Sequence, residues 1–209
     1  MNDRGQRPFP GTGRLEALSD GVLAIAITLL VLELVVPEEP GVFTSDLLHE
    51  WPTYLAYLAA FVMIGSVWLH HHMVFTFLPR ASMSLVYANL ALLLTASLLP
   101  FPTAVVSSAF RIGDEHDRVA GVVAFAGISA LISLSYAWLC RAAQALVPEQ
   151  GAGPGVLRGE QRRAFIAVVA MALAIVVAVF APVAALVLVA VTPFFYLFTF
   201  PRDALNAGR

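Results

Sequence analysis

The feature that most constrains this chain is an uncharged stretch in its last quarter. From Ala164 to Phe200, 37 residues pass without an Asp, Glu, Lys or Arg. One membrane-spanning helix needs about 20 mainly apolar residues, so the stretch predicts two spans, with Ala181-Pro182 as the natural break. Apolar segments earlier in the chain predict four more. The sequence is therefore expected to form an all-α integral membrane protein with six transmembrane helices.

The composition agrees with a membrane protein. Hydrophobic residues make up 59% of the 209 residues and charged residues only 12%, which is about half the usual share of a soluble domain. We predict a single six-helix membrane domain over residues 1–209, with a Gly- and Pro-rich flexible cytoplasmic loop at 147–160. The predicted helices cover about residues 15–36, 52–71, 84–106, 118–140, 162–181 and 182–200.

The basic residues predict the orientation of the chain. All twelve are Arg, and ten fall on one side of the predicted membrane. Since basic residues concentrate on the cytoplasmic side, both termini are predicted to be cytoplasmic. The net charge of −2 gives no basic field that would favour nucleic acid as a partner. The ten arginines are Arg4, Arg7, Arg14, Arg80, Arg141, Arg158, Arg162, Arg163, Arg202 and Arg209.

The first helix contains two patterns of interest. Asp20, beside Ser19, lies inside the apolar span, where ionisable groups are costly and usually face protein or water. The alternative is an Asp that caps the helix start, where the helix dipole favours a negative charge. A stripe at a spacing of 3.5 residues suits packing against copies of the same helix, although ordinary packing explains it as well. The stripe contains Leu18, Gly21, Ile25, Thr28, Leu32 and Val35.

Three consecutive histidines, His70, His71 and His72, lie near the predicted cytoplasmic end of the second helix. Neighbouring residues on a helix point about 100° apart, so the three cannot converge on one ion, and no metal site is predicted. A polar network with Arg14, Asp20 and Trp68 is expected instead. In the third helix, Asn89 would need a partner on another helix. The Leu-Pro-Phe-Pro-Thr run at 99–103 is expected to terminate that helix.

Several motifs of other protein classes are missing from the sequence. It contains no HExxH, no GxSxG, no Walker P-loop and no GxGxxG. No enzymatic activity and no cofactor are therefore predicted. A TVGYG-like run is also missing, which argues against the potassium channel fold with a carbonyl filter.

Three motifs, taken in order, resemble the endolysosomal potassium channel family (transmembrane protein 175). Arg14-x-x-x-Leu18-Ser19-Asp20 is similar to the family's first-helix signature, in which Phe stands where this chain has Leu18. Trp68-x-x-His71-His72-x-x-Phe75 looks like its second motif. Asn89 and the Leu-Pro-Phe-Pro-Thr run resemble its third helix. The resemblance extends over all six predicted helices.

This resemblance implies a homotetramer with the first helices around a central pore. It places a hydrophobic constriction at Ile25, with Thr28 and Leu32 as the next pore layers. It also implies a network that holds the pore helix, formed by Arg14, Ser19, Asp20, Trp68 and His71 or His72.

The expected function is passive, potassium-preferring cation conduction in the bacterial inner membrane, with potassium ions and membrane lipid as partners. The alternative is a secondary or proton-coupled cation transporter. Against it, the middle of every predicted span lacks Asp, Glu, Arg and His, which coupled transport commonly uses.

Overall fold

The computed structural model describes residues 11–34, 48 and 50–198, and within them the ordered elements are all helical. Five apolar helical segments are long enough to cross a membrane, when α3 and α4 below are counted as one 30-residue segment, and α7 is a shorter apolar helix. The prediction of an all-helical membrane protein is thus confirmed. The helices are α1 (Thr12–Leu29), continued by a 3₁₀ turn (Leu30–Glu33), α2 (Trp51–Thr76), α3 (Met83–Ser97), α4 (Pro100–Ile112), α5 (Glu115–Gln144), α6 (Gly153–Ala178) and α7 (Pro182–Phe198).

The helices pack through small side chains. Lipid tails are as apolar as the helices, so association depends on close van der Waals contact, which small residues permit. α5 and α6 form the most extensive pair, whereas α1 lies at the edge of the bundle against α2 and α3. The fully buried alanines include Ala56, Ala60, Ala88, Ala96, Ala126, Ala143, Ala174, Ala178 and Ala185.

The prediction that the proline-containing run at 99–103 ends the third span is wrong. The chain breaks only between Ser97 and Pro100, and then continues as α4 to Ile112 instead of stopping near residue 106. Pro100 stands in the first turn of α4, where a missing N–H costs nothing. The hydroxyl of Thr103 donates to the carbonyl of Leu99 at 2.9 Å and supports the junction.

The prediction of a flexible loop over 147–160 is also corrected. Only residues 145–152 connect α5 to α6, and α6 begins at Gly153. Pro154 favours a helical first turn, and the positive φ of 114° at Gly151 gives the turn before it. Leu157 and Glu160 are consequently buried helical residues.

Two helices are longer than their apolar stretches predict. α2 extends to Thr76 and α5 covers Glu115–Gln144, so both continue past the predicted spans of 52–71 and 118–140. At the start of α5, Asp114 and Asp117 form a reciprocal capping box. The backbone N–H of Asp117 donates to the Asp114 carboxylate, which lowers the pKa of that group.

Some predictions lie outside the described residues. These are the end of the first helix at residue 36, the end of the last at residue 200, Val35 of the first-helix stripe, and the four arginines of the two terminal segments. The cytoplasmic placement of both termini and the single-domain organisation stay predictions.

Candidate pore helix and its anchoring network

The stripe predicted on the first helix is exposed in the isolated protomer. Ile25 is 62% exposed and Leu32 is 74% exposed, and Thr28 lies between them on the same face. Leu18 and Gly21 continue the exposed face toward the start of α1. This face is apolar, so it must meet lipid or another protein chain.

Thr28 is the one hydroxyl on this exposed face of α1. Its Oγ1 lies 2.9 Å from the carbonyl oxygen of Ile25 and 3.1 Å from that of Ala24, and it donates its proton to this pair. The proton is therefore directed back to the helix, and the oxygen keeps lone pairs for an acceptor role on the exposed side. Such an oxygen can contribute to the coordination of a cation.

The opposite face of α1 is anchored by a buried polar chain centred on Asn89. The amide nitrogen of Asn89 donates to Ser19 Oγ at 3.0 Å, and Ser19 Oγ donates to the Leu15 carbonyl at 2.8 Å. His71 Nε2 lies 2.8 Å from Asn89 Oδ1 and donates to it, because an amide oxygen can only accept. All three side chains are at most 1% exposed, so this chain joins α1, α3 and α2 inside the protein.

A second contact joins α1 to α2 at the protein surface. The indole N–H of Trp68 donates to Asp20 Oδ1 at 2.8 Å, and the ring of His72 stacks on Trp68 with centroids 6.4 Å apart. Asp20 and Trp68 are both exposed, so this hydrogen bond lies at the protein surface, whereas the Asn89 chain is buried.

The structure divides the six residues of the predicted network. Ser19 and His71 join through Asn89, and Asp20, Trp68 and His72 form the exposed contact. Arg14 is exposed, and within the described residues its side chain makes no hydrogen bond or ion pair. Asn89, which the sequence showed only as an amide in need of a partner, is the centre of the buried chain.

A buried ionic cluster, absent from the sequence predictions, surrounds Glu160. Its Oε2 accepts from His70 Nδ1 at 2.6 Å and from the Tyr136 hydroxyl at 3.1 Å, while Arg163 donates to Oε1. Glu160 is 1% exposed and His70 is 4% exposed. A carboxylate at this depth requires such partners, because burial of an unpaired charge is very costly. The sequence signal for this cluster was the three-residue spacing between Glu160 and Arg163, which allows the two side chains to pair on one face of a helix.

The His, Cys, Asp and Glu side chains of the described residues include no group of three or more that could hold a metal ion. The three histidines of α2 instead make separate contacts, as their spacing predicts. His70 faces α6, His71 faces α3, and His72 stacks within α2.

Comparison with known proteins shows which channels this chain is similar to. Residues 14–100 match the family model described as endosomal/lysosomal potassium channel TMEM175. A potassium channel of Streptomyces collinus is 40% identical over 129 residues, which are 61% of this chain and 61% of that protein. The endosomal/lysosomal proton channel TMEM175 of Gallus gallus is 38% identical over 79 residues, which are 33% of this chain and 16% of that protein. The aligned part of this chain thus spans about six-tenths of the bacterial relative.

A solved structure extends the likeness over most of the chain. The crystal structure of a lysosomal potassium-selective channel TMEM175 homolog from Chamaesiphon minutus superposes with a TM-score of 0.77 at 29% sequence identity. The match covers 90% of this chain and 96% of that one. The motifs, the matched segment and the shared fold together make this multi-pass protein of the bacterial membrane similar to the TMEM175 channels.

Proposed function

We propose that this chain is the subunit of a passive, potassium-preferring cation channel, in which four copies arrange α1 around a central pore. The names of the Streptomyces relative and of the Chamaesiphon structure support potassium as the permeant ion. Those names describe the two similar proteins. For this chain, the proposal of conduction is argued from its own residues.

The observation that carries the proposal is the contrast between the two faces of α1. One face is fixed by the buried Asn89 chain, while Ile25, Thr28 and Leu32 on the other face are exposed in the protomer. A helix held this firmly on one side presents the same residues to every symmetry-related copy. Gly21 has open space around its Cα, which permits close approach of a second chain.

The pore chemistry follows from the side chains of this face. A ring of Ile25 side chains would form an apolar constriction that blocks ions by excluding water, and a small outward movement would wet it. A ring of Thr28 hydroxyl oxygens would replace part of the hydration shell of a passing cation. Potassium loses its water at lower cost than sodium, so weak oxygen ligands favour potassium.

Acidic residues at the outer mouth of such a pore would raise the local cation concentration, and Glu50 is the acidic residue of this connection that the structure describes. Glu50 accepts from Thr53 at 2.8 Å and lies 4.0 Å from Arg111, so its charge is largely compensated. Glu38, Glu39 and Asp46 lie outside the described residues. Potassium preference is therefore assigned to the pore layers of α1, not to this loop.

Flux into liposomes tests the constriction directly. Ile25→Asn replaces the apolar ring with amides and is expected to increase passive potassium flux severalfold, because a polar ring stays wet. Ile166→Asn is the matched control, since Ile166 is an exposed isoleucine on α6 far from α1. Flux that is unchanged in Ile25→Asn, or raised equally in both variants, would remove Ile25 from the conduction path.

Cross-linking tests the arrangement of α1 around an axis. Cys140 is the only cysteine of the chain and is fully buried, so an introduced cysteine is the reactive one. Gly21→Cys is expected to form disulfide-linked dimers of the chain on mild oxidation in membranes. Val169→Cys, on an exposed face of α6, is the control that should stay monomeric. Equal cross-linking at both positions would contradict a pore formed by α1.

A second candidate function is proton-coupled cation transport, and the Glu160–His70 pair is the observation that favours it. The sequence placed Glu160 in a loop, whereas the structure places it inside α6 against an ionisable partner on α2. Buried carboxylate–imidazole pairs are a common feature of proton relays. The name of the Gallus gallus relative likewise refers to protons.

An imposed pH gradient separates the two functions. A channel passes potassium down its own gradient whether or not a pH gradient is present. A coupled transporter accumulates potassium against its gradient when protons flow, and Glu160→Gln abolishes the accumulation. Accumulation that depends on Glu160 would replace the channel proposal.

A further inference from the structure

A groove on the outer surface of the protomer lies apart from both α1 and the Glu160 cluster. It is formed where α3, α5 and α6 meet, and its volume is about 440 Å³. Its walls combine apolar side chains with N–H donors at one end. The lining residues that matter are Ala91, Leu134, Trp138, Arg141, Gln161 and Phe165.

One end of the groove is lined mainly by hydrogen-bond donors. Arg141, in the last turn of α5, is exposed and makes no ion pair among the described residues. Trp138 lies about one turn before Arg141 and is 48% exposed. Among the residues that the structure describes, its indole N–H has no hydrogen-bond acceptor. Gln144 donates to Gln161 Oε1 at 2.9 Å, which leaves the Gln161 amide N–H groups for the groove. No Asp or Glu lines this groove.

The other end of the groove is apolar. Leu134 and Phe165 are each about half exposed there, and Ala91 on α3 forms the floor. Leu134 precedes Arg141 by seven residues, which places the apolar end about 10 Å along the helix from the charged end. The groove thus runs from a positive, donor-rich end into an apolar channel parallel to α5.

We propose that this groove binds an anionic phospholipid from the cytoplasmic leaflet, with the phosphate at Arg141 and Trp138 and an acyl chain along Leu134 and Phe165. Charge complementarity identifies the occupant, because three donors without an acceptor suit a phosphate oxygen. Basic pockets between helices at the cytoplasmic side are suited to anionic head groups, and Trp favours the membrane interface. The proposal does not depend on ion conduction.

Native mass spectrometry of the purified protein provides the test, with phosphatidylglycerol and phosphatidylcholine as probes. We expect phosphatidylglycerol to bind the wild-type protein more tightly. Arg141→Ala is expected to weaken its binding about fivefold, since one basic residue near an anionic surface contributes about 1 kcal/mol. Arg158→Ala is the matched control: Arg158 is exposed on the same side of the protein but outside the groove, and its Nε donates to Pro154. Its replacement should leave binding unchanged.

A second measurement does not depend on the folding of Arg141→Ala. Phosphatidylglycerol with brominated acyl chains should quench the tryptophan fluorescence of the wild-type protein, and Trp138→Phe should lose most of that quenching although Trp51 and Trp68 remain. Equal affinity for both lipids would overturn the proposal. So would equal weakening by Arg141→Ala and Arg158→Ala, quenching that persists in Trp138→Phe, or a groove covered by a second copy of the chain.

Discussion

Asn89→Leu removes the amide that joins α1 to α2 while it keeps the branching and the number of heavy atoms of the side chain. The amide makes one hydrogen bond to Ser19 and one to His71, both between helices. Such bonds contribute about 0.6 kcal/mol on average in membrane proteins, and up to about 1.7. The unpaired, buried imidazole nitrogen of His71 adds about 1–3 kcal/mol. We expect the free energy of unfolding to fall by about 2–4 kcal/mol.

Unfolding of the protein by titration with sodium dodecyl sulfate in mixed micelles, followed by circular dichroism, measures this change. Thr95→Val is the matched control on the same helix. The hydroxyl of Thr95 bonds only to carbonyl oxygens of α3 itself, those of Ala91 and Leu92. Its loss breaks no contact between helices, so we expect a change within about 0.5 kcal/mol.

A double-mutant cycle separates the network from simple packing. Ser19→Ala and Asn89→Leu remove the two partners of one bond, so their effects should be less than additive by about 0.6–1.7 kcal/mol. Two results would refute the reasoning: an Asn89→Leu protein as stable as Thr95→Val, or strictly additive effects in the cycle. Either would mean that packing alone holds α1 in place.

Three further results are expected from the same unfolding assay. Glu160→Gln should lower the free energy of unfolding by about 3 kcal/mol, because it leaves the buried partners of the carboxylate uncompensated. Glu149→Gln, on the exposed connection between α5 and α6, should leave the free energy of unfolding unchanged. Equal effects of the two variants would mean that the Glu160 cluster does not stabilise the fold. Trp68→Phe should cost less than about 1 kcal/mol, because the bond to Asp20 is exposed, and a larger loss would show that this contact anchors α1. Asp114→Ala should lower the melting temperature at neutral pH. The pKa of that carboxyl is lowered by folding, so its contribution is complete above the ordinary Asp pKa and is lost as the pH falls through the folded value; a difference in melting temperature that persists at low pH would contradict the cap.

The sequence predicted the helical spans well because one constraint dominates them. Backbone groups inside lipid must be satisfied within the segment, so long apolar stretches have no alternative to helix. The stripe with Ile25 and Thr28 was predicted from its spacing along the first helix. In the structure, α1 packs against α2 and α3 and leaves this face uncovered. The divergence of the three histidines followed from helix geometry alone.

Helix ends were less predictable, because apolar composition marks the membrane and not the helix. α6 begins at Gly153, well before its apolar part, and the chain continues through Pro100 because a proline suits a first turn. The burial of Glu160 depends on His70, 90 residues earlier in the chain. A local sequence pattern cannot indicate a contact between residues so far apart in the chain. Arg14 shows the reverse case, because a motif placed it in a network that its exposed side chain does not enter.

The last turns of α2 connect the two polar clusters of the molecule. His71 reaches Asn89 and through it α1, while His70, one position earlier, reaches Glu160 on α6. Because neighbours on a helix point about 100° apart, adjacent residues can serve two different helices. A shift of the N-terminal end of α1 would thus have to carry α2 with it or break buried hydrogen bonds, and breaking them is costly.

This anchoring determines which part of α1 can move. Ser19 is fixed, whereas Ile25 lies about 9 Å and Leu32 about 20 Å further along the helix. A recess of about 190 Å³ lies between α1 and α2 and is lined by Leu23, Ala24 and Ile27 of α1 and by Ile64 and Gly65 of α2, with Asp20 and Trp68 at its anchored end. A tilt of α1 about its anchored end would displace Leu32 more than Ile25 without breaking the Asn89 chain, and it would repack the buried Leu30 against α2 and α4. In the proposed channel, opening is therefore expected as a pivot about the N-terminal end of α1, not as a sliding of whole helices.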